Sequence, residues 1–410
     1  MQEKVLIVAV RYPRQNEDRF QSSLSELQSL TETAQGNVLK IVTQNRERIH
    51  PGLYLGEGKI EEIAGFVEDM EIDLVISNDE LSPSQSKNLS ERLGVRIIDR
   101  SQLILDIFAQ RANTREGKLQ VELAQLQYML PRLYGQGKSL SRLAGGIGTR
   151  GPGETKLESD RRHIRRRIDD IKARLDSIVK QRAQYRSRRK ANKAFQIAIV
   201  GYTNAGKSTF FNRITKSQSL EEDQLFATLD PMTRQIQLPS GFAALITDTV
   251  GFIQDLPTTL IAAFRSTLEE VTEADFILHM VDASHPDQEN HQATVNKLLK
   301  ELGAENLPML TVYNKKDVLQ EEFIPSAYPS ITVSAHDPID LKRVLNEIEQ
   351  QLIDQWEYYQ VFIPASDSRF LQKISRQTVV MDREYQEDPE GYQVTGYIDS
   401  QHPLNYKLKG

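Results

Sequence analysis

The chain has 410 residues, of which 39% are hydrophobic and 26% charged, and its formal net charge at pH 7 is −6. That length accommodates about two to four domains with cores of their own. It has no cysteine, which excludes a disulfide framework, thiol catalysis and a Cys-based zinc site, and no apolar run approaches the ~18 residues of a membrane span.

The first apolar run, Val5–Val10, is too short for a secretory leader and reads as a strand, so a cytoplasmic setting is the expectation. Strand-like runs follow at Val38–Val42, Leu74–Ser77 and Val95–Ile98, with helical patterns near Phe20–Leu30, Ile60–Met70 and Ser84–Leu93. This alternation predicts a small parallel α/β domain over residues 1–112. Gly56-Glu57-Gly58-Lys59 lacks the second half of a phosphate-loop pattern. It is read as the cap of the helix near Ile60, or as a lysine offered to a partner.

Residues 113–193 carry two apolar stripes. Leu119, Leu123, Leu126, Leu130 and Leu133 recur at spacings of four and three, and Ile164, Ile168, Ile171, Leu175 and Ile178 do the same. A single stripe must pack on something, so the pair predicts an antiparallel helical hairpin. Between Arg161 and Lys193 stand fourteen basic residues against Asp169, Asp170 and Asp176, about +11, leaving about −17 elsewhere. A solvated helix face is the alternative, but solvated faces mix signs, and the reading preferred is a nucleic-acid partner. The connection from Tyr134 to Glu154 is about twenty residues, rich in glycine and carrying Lys138, Arg142 and Arg150. Helix–helix connections are normally about two to eight residues. A floppy tether remains open; contact with folded RNA suits the glycines and cations better.

Residues 194–353 predict a doubly wound sheet, with strands at Ile197–Val200, Thr233–Leu238, Ala243–Thr247, Phe276–Val281, Met309–Tyr313 and Ser330–Val333. The first of these runs into Gly201-Tyr202-Thr203-Asn204-Ala205-Gly206-Lys207-Ser208-Thr209, which matches G-x-x-x-x-G-K-[ST] between a strand and a helix. Glycines let backbone N–H groups converge on phosphate oxygens, and the helix aims its positive end at them. Lys207 is expected at the β- and γ-phosphates, and the Ser208 hydroxyl on Mg2+. Asp248-Thr249-Val250-Gly251 adds an acid to the Mg2+ shell and a glycine N–H for the γ-phosphate. In Phe226-Ala227-Thr228, the threonine can bind Mg2+ and the γ-phosphate only when a triphosphate is present, which makes the loop a switch. Asn314-Lys315-Lys316-Asp317 follows a strand, and its carboxylate can accept N1–H and the 2-amino group of guanine, which adenine lacks. Ser334-Ala335, followed by His336, is placed to offer a backbone N–H to guanine O6. Together these strings predict GTP/GDP binding, with Lys207, Thr228 and Gly251 as the catalytic set and Ser208, Thr228 and Asp248 as metal ligands. Phe252 stands where many GTPases carry a water-orienting glutamine, so hydrolysis is expected to be slow without a partner.

Residues 357–410 read strand, helix, strand, strand, at Tyr359–Pro364, Ser366–Arg376, Val379–Arg383 and Tyr392–Ile398. That is a small α+β module, expected to dock on the nucleotide domain. The histidines show no metal-ligand spacing, and His285 is expected to shape a loop.

The chain resembles the HflX family, from the first strand to about Leu352. Gly146-Ile-Gly-Thr-Arg-Gly-Pro-Gly-Glu-Thr-Lys-Leu-Glu158 carries the resemblance furthest. Asp106–Arg111, Gln120–Gln125, Phe226–Asp230 and Asp248–Ile253 also match. The chain departs from the family pattern at Lys156, where glutamine is usual, and at His336, where glycine is. The resemblance implies a ribosome-associated translation-factor-class GTPase with a hydrophobic residue at Phe252, and a monomer is the expectation. It implies that the large ribosomal subunit and its rRNA are met through loop 134–155 and basic helix 161–193, and that stalled or idle ribosomes are dissociated. The alternative is a nucleotide-timed RNA-remodelling or ribosome-assembly factor that does not split ribosomes.

Overall fold

The computed structural model of the protein describes residues 2–141, 152–191, 194–216, 225–226, 228–254 and 270–408, with backbone alone for 134–141, 152–157 and 182–191. Packing divides the chain into two units. The first is Met1–Lys180 with Gln224–Asp230 and Gln254–Arg265, and the second is Gln181–Asp223, Pro231–Ile253 and Ser266–Gly410.

The first unit opens with β1 (Lys4–Arg11), α1 (Glu17–Thr33), β2 (Asn37–Asn45), α2 (Glu57–Met70), β3 (Leu74–Ser77), α3 (Pro83–Leu93), β4 (Arg96–Asp99) and α4 (Arg100–Arg111). The strands form a parallel sheet in the order β2-β1-β3-β4. Its centre is the unbroken apolar run Val5–Val10, buried on both faces as a central parallel strand should be. Local chemistry sets the helix starts. Asn16 accepts the Asp18 and Arg19 N–H groups, Gly56 occupies the cap of α2, and Ser82 with Gln85 forms a capping box before Pro83. The first residue of α4, Arg100, is buried, and its guanidinium meets Glu26 at 2.5 Å and Asn78 Oδ1 at 3.3 Å.

The hairpin follows as α5 (Arg115–Ser141) and α6 (Pro152–Ala191). Its seam holds Leu119, Leu123, Ile168 and Ile171 buried, with Leu126, Leu130, Ile164, Leu175 and Ile178 packed around them. Arg167 reaches across to Glu122 with two hydrogen bonds, of 2.7 and 2.8 Å, in the register that the apolar seam sets. The expected twenty-residue connection is corrected at both ends. Helix covers Tyr134–Ser141 and resumes at Pro152, so Gly135 and Gly137 are helical. Each glycine costs only about 1 kcal/mol inside an established helix, and proline is favoured at a first helical position. The rest of that loop, residues 142–151, with Arg142 and Arg150, lies outside the described residues, as do Ala227 and Lys193.

The second unit holds a six-stranded sheet in the order β10-β9-β8-β5-β7-β6. Its strands are β5 (Phe195–Gly201), β6 (Met232–Gln237), β7 (Ala243–Asp248), β8 (Phe276–Asp282), β9 (Met309–Asn314) and β10 (Ser330–Thr332). All pair in parallel except β6, antiparallel at one edge. Helices α7 (Lys207–Thr215), α8 (Gln288–Glu301) and α9 (Pro338–Gln355) complete the doubly wound α/β fold. The chain ends in a three-stranded antiparallel sheet, β11 (Glu357–Pro364), β13 (Glu390–Ile398) and β12 (Val379–Glu387) in that spatial order, with α10 (Ser368–Gln377) and a short turn at Asn405–Leu408. Val379 enters the core of the six-stranded sheet, and Tyr397 and Trp356 pack against it. Trp356 lies edge-on to Phe242 at 5.3 Å and to Phe195 at 5.8 Å. Among the described residues no helix is long and apolar enough to cross a membrane.

Candidate functional site

The carboxyl ends of parallel strands in an open α/β sheet are where ligands bind. Here the loops after β5, β7, β9 and β10 converge, and hydrogen bonds between distant residues tie them together.

The loop after β5 holds Tyr202 to Gly206, and Lys207 opens α7. Gly206 has φ +86°, and a Cβ there would lie 2.1 Å from Asn314 Nδ2, so the turn admits glycine alone. Lys207 is 6% exposed and its ammonium donates to the Tyr202 carbonyl at 2.6 Å. Burial brings its pKa down to about 8, against the pull of Asp248. The Tyr202 ring stacks on His291 of α8 at 3.7 Å, 7° from parallel. Burial and the neighbouring His285 take His291 down to about 4, so the stacked imidazole is neutral at pH 7. His285 does shape its loop, accepting the Asp287 N–H at 3.1 Å.

At the end of β7, Asp248 is buried and accepts the Ser208 hydroxyl at 2.9 Å. One hydroxyl and one carboxylate at that separation are hard oxygen donors of the kind Mg2+ takes, with water and phosphate completing its shell. Among the described residues no group of three His, Cys, Asp or Glu could hold a metal ion, so a divalent ion has no all-protein cage. Thr249 turns its hydroxyl to the Ile199 carbonyl at 2.7 Å, and Val250 is buried. Gly251 packs against the phosphate loop, where a Cβ would meet Thr203 Cγ2 at 2.8 Å and Lys207 Nζ at 3.1 Å. Phe252 is 1% exposed, and its backbone is bonded twice to the same loop. Thr203 N–H donates to the Phe252 carbonyl at 2.8 Å, and Phe252 N–H to the Gly201 carbonyl at 3.1 Å. Through its backbone alone Phe252 therefore fastens the loop after β7 to the loop after β5.

After β9, Asn314 is buried and acts as a strut. Its Nδ2 donates to the Ala205 carbonyl at 3.0 Å and its Oδ1 accepts the Ala335 N–H at 2.8 Å. Lys315, with φ +65°, pairs with Asp282 at 2.7 Å, while Lys316 is exposed. Asp317 is exposed at the loop surface, and the Ser334 side chain bonded to it lowers its pKa, so it is ionised at neutral pH. Ser334 and Ala335 were expected to offer N–H groups to a guanine oxygen. Both donate within the protein, Ser334 to Asp340 Oδ2 at 2.9 Å and Ala335 to Asn314, and His336 N–H reaches Ser334 Oγ at 3.3 Å.

The loops after β5, β7, β9 and β10 thus bring together Gly201 to Thr209, Asp248 to Gly251, Asn314 to Asp317 and Ser334 to His336. Phe226 and Thr228 are described in the first unit, with Thr228 partly buried. Sequence reasoning passed over Asp340 and His291. Burial would raise the Asp340 pKa, but the Ser334 N–H, Arg343 and Lys316 outweigh it and hold the carboxylate ionised. The signal available was Asp337-Pro338 opening a helix, which puts Asp340 in its first turn beneath the loop.

Three family descriptions match consecutive stretches. They are "GTP-binding GTPase N-terminal" over residues 21–109, "GTP-binding GTPase Middle Region" over 111–189 and "50S ribosome-binding GTPase" over 196–315. The chain is 54% identical over 408 residues to the GTPase HflX of Alkalihalophilus pseudofirmus, covering 99% of this chain and 96% of that one. It is 48% identical to the GTPase HflX of Caldanaerobacter subterraneus subsp. tengcongensis, covering 94% and 89%. For the GTPase HflX of Escherichia coli the identity is 40%, covering 91% and 88%. A crystal structure of SsGBP with GDP overlaps with a TM-score of 0.49 at 25% identity, covering 85% of this chain and 98% of that one.

Proposed function

This chain belongs to the HflX family of GTPases, and we propose that its GTP-bound form binds the large ribosomal subunit and separates stalled or idle ribosomes into subunits. It binds guanine nucleotide and hydrolyses GTP to GDP and phosphate, as its relatives' name states. The single observation that carries the ribosomal reading is the outer face of α6. Arg162, Arg165, Arg166, Lys172, Arg174 and Lys180 stand exposed along a helix whose opposite stripe is buried. A face on which exposed cations outnumber the exposed Asp169, Asp170 and Asp176, on a probe of this length, suits phosphates spaced along rRNA. The description "50S ribosome-binding GTPase" agrees with it. The protein would act in the cytoplasm as a monomer, with residues 1–112, 113–193, 194–353 and 357–410 as its working parts.

In this reading Lys207 neutralises the β- and γ-phosphates, and its carbonyl partner Tyr202 keeps it within reach. Ser208 and Asp248, with Thr228 as the third residue expected from the sequence, would hold Mg2+, which would supply positive charge to the phosphates. The Gly251 N–H holds the γ-phosphate. Asp317 pairs with guanine N1–H and the 2-amino group, supported by Asn314 from behind. Phe252 leaves the attacking water without a side-chain partner, so turnover is low until the ribosome orders the site.

Sedimentation through a sucrose gradient with GTP, GDP and a non-hydrolysable GTP analogue tests the proposal. The expected outcome is depletion of intact ribosomes with the analogue and not with GDP, and co-sedimentation that weakens steeply with salt. Binding to large subunits without any loss of intact ribosomes would instead make the protein a nucleotide-timed remodelling or assembly factor.

A further inference from the structure

Thr228 is the residue read above as closing on the γ-phosphate, and both its flanks are packed into the first unit. Phe226, two residues before it, is 2% exposed, has φ +57° and meets the Phe108 ring of α4 edge-on at 4.6 Å. A left-handed backbone is rare for so bulky a residue and persists only where the surroundings impose it. Leu225 N–H donates to Thr33 Oγ1 of α1 at 3.4 Å.

Two residues after Thr228, Asp230 lies against the start of α5. Its carboxylate accepts the Asn113 N–H at 3.0 Å, the Thr114 N–H at 2.8 Å and the Thr114 hydroxyl at 2.5 Å. That hydroxyl itself accepts the Gly117 N–H at 2.9 Å, so Thr114 caps α5 and Asp230 is bonded to the cap. Gly117 gains a reason here. A Cβ at that position would lie 2.4 Å from Asp230 Oδ1, so glycine inside the first turn leaves room for the carboxylate. In the same unit Arg100 donates to the carbonyl of Gln254, just beyond the Asp248 loop, at 3.4 Å.

From these contacts we infer that Asp230 and Phe226 are positioning residues for GTP, pinning the Thr228 segment to α4 and to the cap of the first hairpin helix. The inference rests on the reading of Thr228 as a γ-phosphate ligand and names the device that orders it. A segment held at both ends loses less freedom when Thr228 engages a triphosphate, so the pins favour GTP over GDP. Linkage is reciprocal. A nucleotide that orders the segment also orders the start of α5, and a partner that moves the hairpin alters triphosphate affinity by the same factor.

The test compares affinities for GDP and for a non-hydrolysable GTP analogue on the full chain. It uses Thr228→Ala, Asp230→Ala, Asp230→Asn and Gly117→Ala beside the parent. Asp230→Ala and Gly117→Ala are expected to weaken analogue binding fivefold or more and to leave GDP within twofold. Asp230→Asn, still able to accept backbone N–H groups, recovers part of the loss. Gly117→Ala displaces the carboxylate while leaving Asp230 in place, and the higher helix propensity of alanine offsets the crowding of the Thr114 cap. Hydrogen exchange supplies a second readout: amides 113–117 should exchange at least threefold more slowly with the analogue than with GDP, and Asp230→Ala should erase that difference. An analogue-to-GDP ratio within twofold of the parent in both Asp230→Ala and Gly117→Ala, while Thr228→Ala does change it, overturns the inference. An unchanged ratio in Thr228→Ala removes the reading of Thr228 on which the inference stands.

Discussion

In the nucleotide-binding unit the polar groups of the converging loops are buried and answer one another inside the protein, whereas along the outer side of the hairpin the charged groups stand in solvent. Asn314, Asp340, Asp248 and Lys207 are each less than 7% exposed, and each is bonded to a residue of a neighbouring loop or its own loop. The hairpin is joined by a narrow seam of leucine and isoleucine, and its cross-helix ion pair, Arg167 with Glu122, is over a third exposed on both sides. Such a pair contributes about 0.2–1 kcal/mol and yields to salt. Buried groups bonded to one another hold one geometry, as discrimination between bases requires. An exposed cationic face on a thin core suits a large, irregular polyanion better, because its charges can rearrange to meet it.

The largest test of that contrast is Asp317→Asn. If the network presents this carboxylate to guanine, the substitution removes two charge-assisted hydrogen bonds, about 3–6 kcal/mol together. Competition binding should show the preference for GTP over the xanthine nucleotide reversed; retained preference for GTP would break the assignment. Next comes the seam. Ile171 is fully buried, and Ile171→Ala should cost about 2–5 kcal/mol, read as a lowered unfolding midpoint of the hairpin. Guanine nucleotide affinity should stay within twofold, and loss of nucleotide binding in parallel would erase the contrast. The smallest effect is pH. The Lys207 pKa is brought down to about 8 by burial, and phosphate raises it on binding because an anion favours the charged form. Triphosphate affinity should therefore be flat from about pH 7, where the terminal phosphate is fully ionised, to pH 8 and fall by up to about tenfold per pH unit above it, measurable by titration calorimetry.

The contrast also decided what could be read from the chain alone. The phosphate loop, the acid after β7 and Asn314 to Asp317 are short strings whose neighbours in sequence are their neighbours in space, and the hairpin seam is a periodicity. Both kinds of signal survive without coordinates. The strut from Asn314 to Ala205 spans 109 residues, and the bonds from Asp230 to Thr114 span 116, so neither leaves a local trace. The ends of the hairpin helices were missed for a different reason. Glycine density marked Tyr134–Glu154 as loop, but a helix already propagating through α5 carries Gly135 and Gly137 at modest cost. The N–H groups of Ser334 and Ala335 were legible as loop donors, but their acceptors, Asp340 in the first turn of α9 and Asn314 at the end of β9, are supplied by the fold.

Trp356 gives the molecule a built-in optical probe. It is the single tryptophan of the sequence, and it sits between Phe195 at the foot of β5 and Phe242, where the last sheet joins the six-stranded one. Emission excited at the red edge of aromatic absorption therefore comes from this one indole. Its wavelength records whether that aromatic cluster is dry or wet, with no label attached. Because the cluster lies at the opening of the strand that leads into Gly201, the colour of the light reports on the end of β5 away from the nucleotide.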